Sequence, residues 1–346
     1  MERGAPSRRV VELDALRGLA ALAVVAFHYT TFYGQQVGHV TPLPFGFPAG
    51  NYGVHLFFLI SGFVIFMTLE RTRTAMDFVV SRFSRLFPGY WAAIAVTAAV
   101  VYAIGMPGQR LPLRDLALNF TMVQQVLGAE HLDGSYWTLQ VELFFYAQML
   151  LWFVLGGLPR MRWIIVAWLL LAVAYGESMQ HHLHFSYTVR ELFIVRHIPF
   201  FAMGVVFYQL YRGSERPLLD VALIGLCLLA VAIALPPVFV VVGLVCCAIF
   251  GLFLAGALRW LATPAFAFLG TLSYSIYLLH QAIGFALIHR LEEAGVPSIV
   301  AVLLAAGAVM SLATLLAFAV ERPAMRAIRR LWRQRHPAQP LAVAGH

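Results

Sequence analysis

The chain has 346 residues, 61% of them hydrophobic and 12% charged, with a mean hydropathy of +0.80. Length alone would suggest two soluble domains, but this composition excludes them and indicates one helical membrane domain. The formal charge of +8 comes from Arg, Lys being absent. The arginines gather in alternate loops instead of alternating with a stacking surface, which argues against a nucleic-acid binder. Cys227, Cys246 and Cys247 fall within apolar runs and suggest neither a disulfide framework nor a metal site.

In chain order, arginines followed by an apolar run imitate a signal peptide. The run is too long for one and Arg17 interrupts it, so it reads as a retained anchor helix from Val11 to Tyr33. A Gly- and Pro-rich loop, Gly34 to Asn51, leads to a second span ending near Leu69. A basic amphipathic stretch from Arg71 to Phe87 precedes a third span, Tyr90 to Ile104. The polar segment from Gly105 to Tyr136 carries an apolar patch, Leu116 to Val126, expected at the membrane surface. Further spans follow from Trp137 to the Gly156-Gly157 pair, Arg162 to Tyr175, Ile198 to Tyr211, Leu218 to Leu235 and Val238 to Leu258. The last two run from Phe266 to Ile288 and from Ser298 to Val320, before a basic tail.

The expected fold is therefore an all-α polytopic membrane protein with about ten transmembrane helices. It divides into an N-terminal tail (1–10), a transmembrane domain (11–320) and a basic C-terminal tail (321–346). All but six of the 24 basic residues fall in the tails and the even-numbered connections, which predicts both termini in the cytoplasm. There is no internal repeat of the kind that marks inverted transporter halves.

Two ionisable side chains interrupt the first span. Arg17 and His28 are eleven residues apart, so they share a helix face at a separation of about 16 Å. An Arg within a bilayer costs roughly 2.5–3.5 kcal/mol on insertion scales and usually serves function. Snorkelling of Arg17 and packing of His28 are the bland alternatives. With this topology His28 and Glu142 each lie five residues from an outer helix end, about 7–8 Å below the outer interface. A carboxylate at that depth can orient an imidazole and stabilise its protonated form.

Six stretches in order resemble the membrane-bound acyltransferase-3 family. LDALRGLAALAVVAFH at 13–28 is similar to its opening motif, a basic residue, ten others, then His. FFLISGF at 57–63, RFSRLFP at 82–88, YWTLQVELFFY at 136–146, GTLSYSIYLLHQ at 270–281 and ERP at 321–323 follow. The resemblance spans nearly the whole chain and looks like the stand-alone form, without a fused soluble hydrolase-like domain. It implies transfer of an acyl group, usually acetyl, from acyl-CoA to a hydroxyl, often of an envelope carbohydrate.

On that basis His28 is the leading catalytic residue. It serves as the base that takes the hydroxyl proton, or alternatively carries the acyl group itself. Glu142 is its orienter, the base in its place, or an internal ion-pair member. Arg17 attracts the donor or stabilises charge on the thioester oxygen, unless Asp14 neutralises it. Arg82 and Arg85 share a helical face suited to the donor's phosphates, or to lipid headgroups. Ser273, Tyr277 and His280 share another and either line an acceptor pocket or bond neighbouring helices. Arg196, with His197, is an outer candidate for acceptor contact. Ser61 beside Gly62 reads as close packing, and Glu321 as a structural ion-pair member. His181, His182 and His184 read as solvated loop histidines, so no metal site is expected.

The expected partners are acyl-CoA as donor substrate, with no permanently bound cofactor, an envelope carbohydrate or lipid-linked glycan, and the bilayer. The expected location is the bacterial inner membrane. Two rivals remain: acylation of a small diffusible molecule such as a macrolide, and a proton-coupled transporter using the same Arg, His and Glu.

Overall fold

The computed structural model describes residues 10–183 and 185–336, which form helices and turns with no strand among them. Ten principal helices follow one another. Helix α1 (Val11–Phe27) continues through a π-turn (His28–Phe32) into Tyr33–Gln36. Then come α2 (Gly53–Leu69), α3 (Ala75–Ile104), α4 (Trp137–Val154), α5 (Met161–Gln180) and α6 (Ile198–Tyr211). The series ends with α7 (Pro217–Ala234), α8 (Val238–Leu254), α9 (Pro264–Glu293) and α10 (Ser298–Leu316). A second π-turn (Ala317–Glu321) carries α10 on into Arg322–Arg335.

Among the described residues, six helical stretches are long and apolar enough to cross a membrane: Pro48–Leu69, Ala75–Ile104, Leu158–Gln180, Pro217–Ala234, Pro264–Glu293 and Ser298–Arg335. Helices α6 and α8 are apolar but shorter. Helices α1 and α4 carry Arg17, His28 and Glu142 within their length.

Two expectations are corrected. The basic stretch before the third span is no separate element, because one helix runs from Ala75 through Pro88 to Ile104. A capping box starts it: Asp77 N–H donates to Thr74 Oγ1 at 3.1 Å and Thr74 N–H to Asp77 Oδ2 at 3.2 Å. The basic tail is helical as far as Arg335, continuing α10. The apolar patch after α3 is tied to the bundle through Asn119, which adds to the expectation of a surface position. Asn119 within it is buried, accepts from Leu132 N–H and donates to the Asp115 and Glu130 carbonyls, while Tyr90 O–H bonds its own carbonyl.

Packing depends on helices that touch backbone to backbone. A Cβ on Gly18 of α1 would overlap the backbone of Leu269 and Gly270 in α9, and one on Gly270 would overlap the Asp14 carbonyl. In the same way Gly62 of α2 abuts the Phe201 carbonyl, and Gly204 of α6 abuts the Leu59 carbonyl. Small residues at such crossings allow the close van der Waals contact that holds membrane helices together. Around the second crossing the rings of Phe145 and Phe201 stack 4.2 Å apart, and those of Phe58 and Phe201 4.9 Å apart. Replacement of Gly204 by Val forces α2 and α6 apart and is expected to cost roughly 1–3 kcal/mol or more. Thermal unfolding of the detergent-solubilised protein reads this as a lowered midpoint, and an unchanged midpoint would refute the crossing.

Candidate functional site

Helices α1, α2, α4 and α9 line a partly open cavity of about 40 Å³. Its walls include Arg17, Glu142, Ser273 and Tyr277, together with Phe57 and Thr138. Four of the residues singled out in the sequence therefore meet around one space. Glu142 is held on one oxygen, with Ser61 O–H donating to Oε1 at 2.7 Å and Tyr146 O–H at 2.6 Å. Ser61 thus serves as a carboxylate donor and not only as a packing residue. Arg17 and Glu142 both line the cavity, so a cation and a carboxyl group share its wall. Ser273 bonds its own helix, donating to the Gly270 carbonyl at 2.9 Å.

Two tyrosines link this cavity to the arginines of α3. Tyr146, which bonds Glu142, lies 5.9 Å from the Arg82 guanidinium, and Phe78 lies 5.8 Å from it. Tyr274, another wall residue, lies 5.3 Å from the Arg85 guanidinium. The two arginines are not equivalent. Arg85 forms an ion pair with buried Glu321, whose other oxygen accepts from Ser275 O–H at 2.9 Å. Arg82 donates to Ser81 Oγ at 3.0 Å, and its buried Nε has no protein partner. Arg329, from the helical tail, joins the same cluster by donating to Ser84 Oγ at 3.0 Å and to the Ser81 carbonyl at 3.2 Å.

His28 lies at the start of the π-turn, so the regular 100° spacing from Arg17 holds up to it. Its Nδ1 is 2.9 Å from the Val24 carbonyl and 3.2 Å from His280 Nε2. A carbonyl only accepts, so Nδ1 carries the proton. His280 Nδ1 faces the Tyr277 carbonyl at 2.8 Å and is protonated for the same reason, leaving its Nε2 to accept from His28. Neutral His28 therefore keeps Nε2 bare, as a base requires. Wide helical turns of this kind often occur at functional sites.

Glu142 and His28 are not joined. Ser61 and Tyr146 occupy the carboxylate, and His280 is the side chain that holds the imidazole. Tyr277 is common to both neighbourhoods: it lines the cavity, packs with Val24 and Val54, and places its ring 5.4 Å from that of His280. Arg196 is exposed in the turn before α6 and lies apart from the cavity lining. His181 and His182 sit in the turn after α5, and His184 is outside the described residues. No group of three or more potential metal ligands occurs among the described residues.

Sequence reasoning missed the turn Gly134–Tyr136 and the residue before it, Asp133. Asp133 is fully buried and accepts from Ser135 N–H, Ser135 O–H and Ala282 N–H at 2.9, 2.5 and 2.7 Å. Burial pushes its carboxyl above the usual carboxylate range, and these three donors oppose the shift. The only local signal was an Asp-Gly-Ser turn.

Compared with known protein families, residues 10–322 match the acyltransferase domain. Among curated proteins the chain is similar to protein 2 in the picA locus of Rhizobium radiobacter, 37% identical over 32% of this chain and 56% of that one. It is 30% identical to acyltransferase MdmB of Streptomyces mycarofaciens over 42% of this chain and 40% of that one. With exopolysaccharide production protein ExoZ of Rhizobium meliloti it shares 28% identity over 68% of this chain and 76% of the relative. The matches to the first two thus span only about half of those relatives. No solved structure matches significantly. The domain match over most of the chain means that this protein belongs to the acyltransferase-3 family.

Proposed function

We propose that the protein is an integral-membrane O-acyltransferase of the bacterial inner membrane, with ten crossings and both termini in the cytoplasm. It moves an acyl group, acetyl, from cytoplasmic acyl-CoA to a hydroxyl of a cell-envelope carbohydrate. The observation that carries this reading is the bare Nε2 of His28, beside a membrane cavity where Arg17 and Glu142 meet. Family membership supports the reaction class. The carbohydrate acceptor draws support from ExoZ, named for exopolysaccharide production.

In this reading the donor's phosphates meet Arg82 first, since Arg85 is committed to Glu321. Arg329 adds a third cation to that end of the route. Arg17 draws the donor into the cavity, and Glu142 balances its charge there, because neither ion is stable alone in a low-dielectric interior. The acceptor hydroxyl gives its proton to His28 Nε2 as its oxygen attacks the thioester carbonyl carbon. The carbon–sulfur bond then breaks and the leaving thiolate takes the proton from the imidazolium, giving an ester and free coenzyme A. Ser273 and the Tyr277 hydroxyl offer polar contacts beside this step.

Proteoliposomes supplied with radiolabelled acetyl-CoA and envelope glycans test the chemistry. His28→Ala is expected to lose about 10²–10⁴-fold in transfer rate. A folded, inserted His28→Ala protein that acetylates at the normal rate would sink the mechanism. The donor route has its own test in initial-rate kinetics. Arg82→Ala removes charged hydrogen bonds worth about 1.5–3 kcal/mol, so KM for acetyl-CoA should rise about 10- to 100-fold with little change in kcat. An unchanged KM would remove Arg82 from that route.

A further inference from the structure

Just before α4 the chain turns sharply, and this turn presses Asp133 and Ser135 against α9 beside the histidine pair. At that level of α9 a regular helix would join Ala282 N–H to the Leu278 carbonyl. Both groups are instead engaged from outside the helix as well. Ala282 N–H donates to Asp133 Oδ2 at 2.7 Å, and the Leu278 carbonyl accepts from Tyr136 O–H at 3.2 Å. One turn below, Ser135 holds Tyr277 at two points. Its Oγ lies 3.3 Å from the Tyr277 carbonyl, and its own carbonyl accepts from Tyr277 O–H at 3.3 Å.

These contacts run in sequence from His28 to Asp133. His28 Nδ1–H, shared with the Val24 carbonyl, reaches His280 Nε2, and His280 Nδ1–H donates to the Tyr277 carbonyl. Beside that carbonyl, Ser135 O–H donates to Asp133 Oδ1 at 2.5 Å, and the Ser135 carbonyl holds the Tyr277 hydroxyl. The two imidazole links strengthen when His28 gains a proton, because each N–H becomes more acidic; beyond the Tyr277 carbonyl the support is positional. We propose that Asp133 is a positioning residue for His28, acting through Ser135, Tyr277 and His280. The inference rests on the acyl-transfer reading of His28 given above.

A simple anchor for the turn would need one neutral acceptor, whereas both oxygens of Asp133 are in use. Asparagine is nearly isosteric but has a single acceptor oxygen. It satisfies either Ala282 N–H or the two Ser135 donors, and turns its amide N–H₂ towards the other. The substitution therefore disturbs this chain with little change of volume.

The experiment measures kcat and KM for acetyl-CoA in proteoliposomes for wild type, His28→Ala, Asp133→Asn, His280→Gln and the Asp133→Asn/His280→Gln double variant. Asp133→Asn should lower kcat about tenfold or more with KM within about twofold of wild type, and should cost under about twofold in the His280→Gln background. A full additional loss in that background, or a change confined to KM, overturns the proposal. If Asp133→Asn does not insert, Ser135→Ala takes its place. It removes the Oγ link while leaving both backbone N–H bonds to Asp133, and should show a smaller loss confined to kcat. No loss in Ser135→Ala overturns the proposal. Wild type that transfers nothing overturns the acyl-transfer reading itself. Active wild type with inactive His28→Ala and unchanged Asp133→Asn overturns this inference alone.

Discussion

The backbone contact between α1 and α9 sets the geometry of everything above it. Gly18 touches Gly270, and His28 touches His280, with the same sequence offset of 252 in both contacts. Equal offsets at two levels mean that the two helices run parallel, each rising about 15 Å between the levels. The lower contact fixes the upper one. Arg17, at the lower level of α1, and Ser273 and Tyr277, between the two levels of α9, line the same cavity. A side chain at either glycine would separate the helices and misalign the imidazoles together with the cavity wall. The close crossing is therefore a condition for the site as well as for the fold.

Charge is graded along the same axis. Arg82, Arg85 and Arg329 cluster at one end, where Glu321 is tied to Arg85 and Ser275. An ion pair buried this way gives little net stability, because desolvation offsets most of the attraction, but it fixes geometry. Glu321 lies in the π-turn after α10, Arg85 on α3 and Ser275 on α9, so one carboxylate ties three elements together. Arg82 is left with an unpartnered Nε, a reason to regard it as the more available cation for a phosphate. Tyr146 passes this gradient to Glu142, since it contacts both.

What the sequence revealed was local. Arg17 and His28 both face α9 because helical periodicity is reliable within one element, and the wide turn begins only at His28. The offsets of Ser273, Tyr277 and His280 gave a common face for the same reason. The relative azimuth of separate helices was not legible. His28 and Glu142 therefore looked like partners, while their helices direct them to different neighbours. The partners of Glu142 show the difference: Tyr146 follows it by four residues and could have been found, whereas Ser61 comes from α2 with no local signal. Asp133 was invisible for the stronger reason that the partner tying it to α9 is the backbone N–H of Ala282, 149 residues away.

In the proposed reaction Arg17 and His28 divide the work because of their separation. Their α-carbons are about 16 Å apart along α1, and helical side chains lean towards the N-terminus, which carries the Arg17 guanidinium away from His28. One thioester carbonyl does not reach both groups at once in this arrangement. In the proposed reaction Arg17 therefore acts on the donor's route and His28 at its end, with Tyr277 at the boundary. The Tyr277 ring is packed by Val24 and Val54, and its hydroxyl is held by Thr138 O–H at 2.8 Å and by the Ser135 carbonyl. Any movement of that ring must break contacts with the same turn that supports His280. In the proposed reaction, passage from the cavity to the imidazole would thereby be coupled mechanically to the positioning of the base.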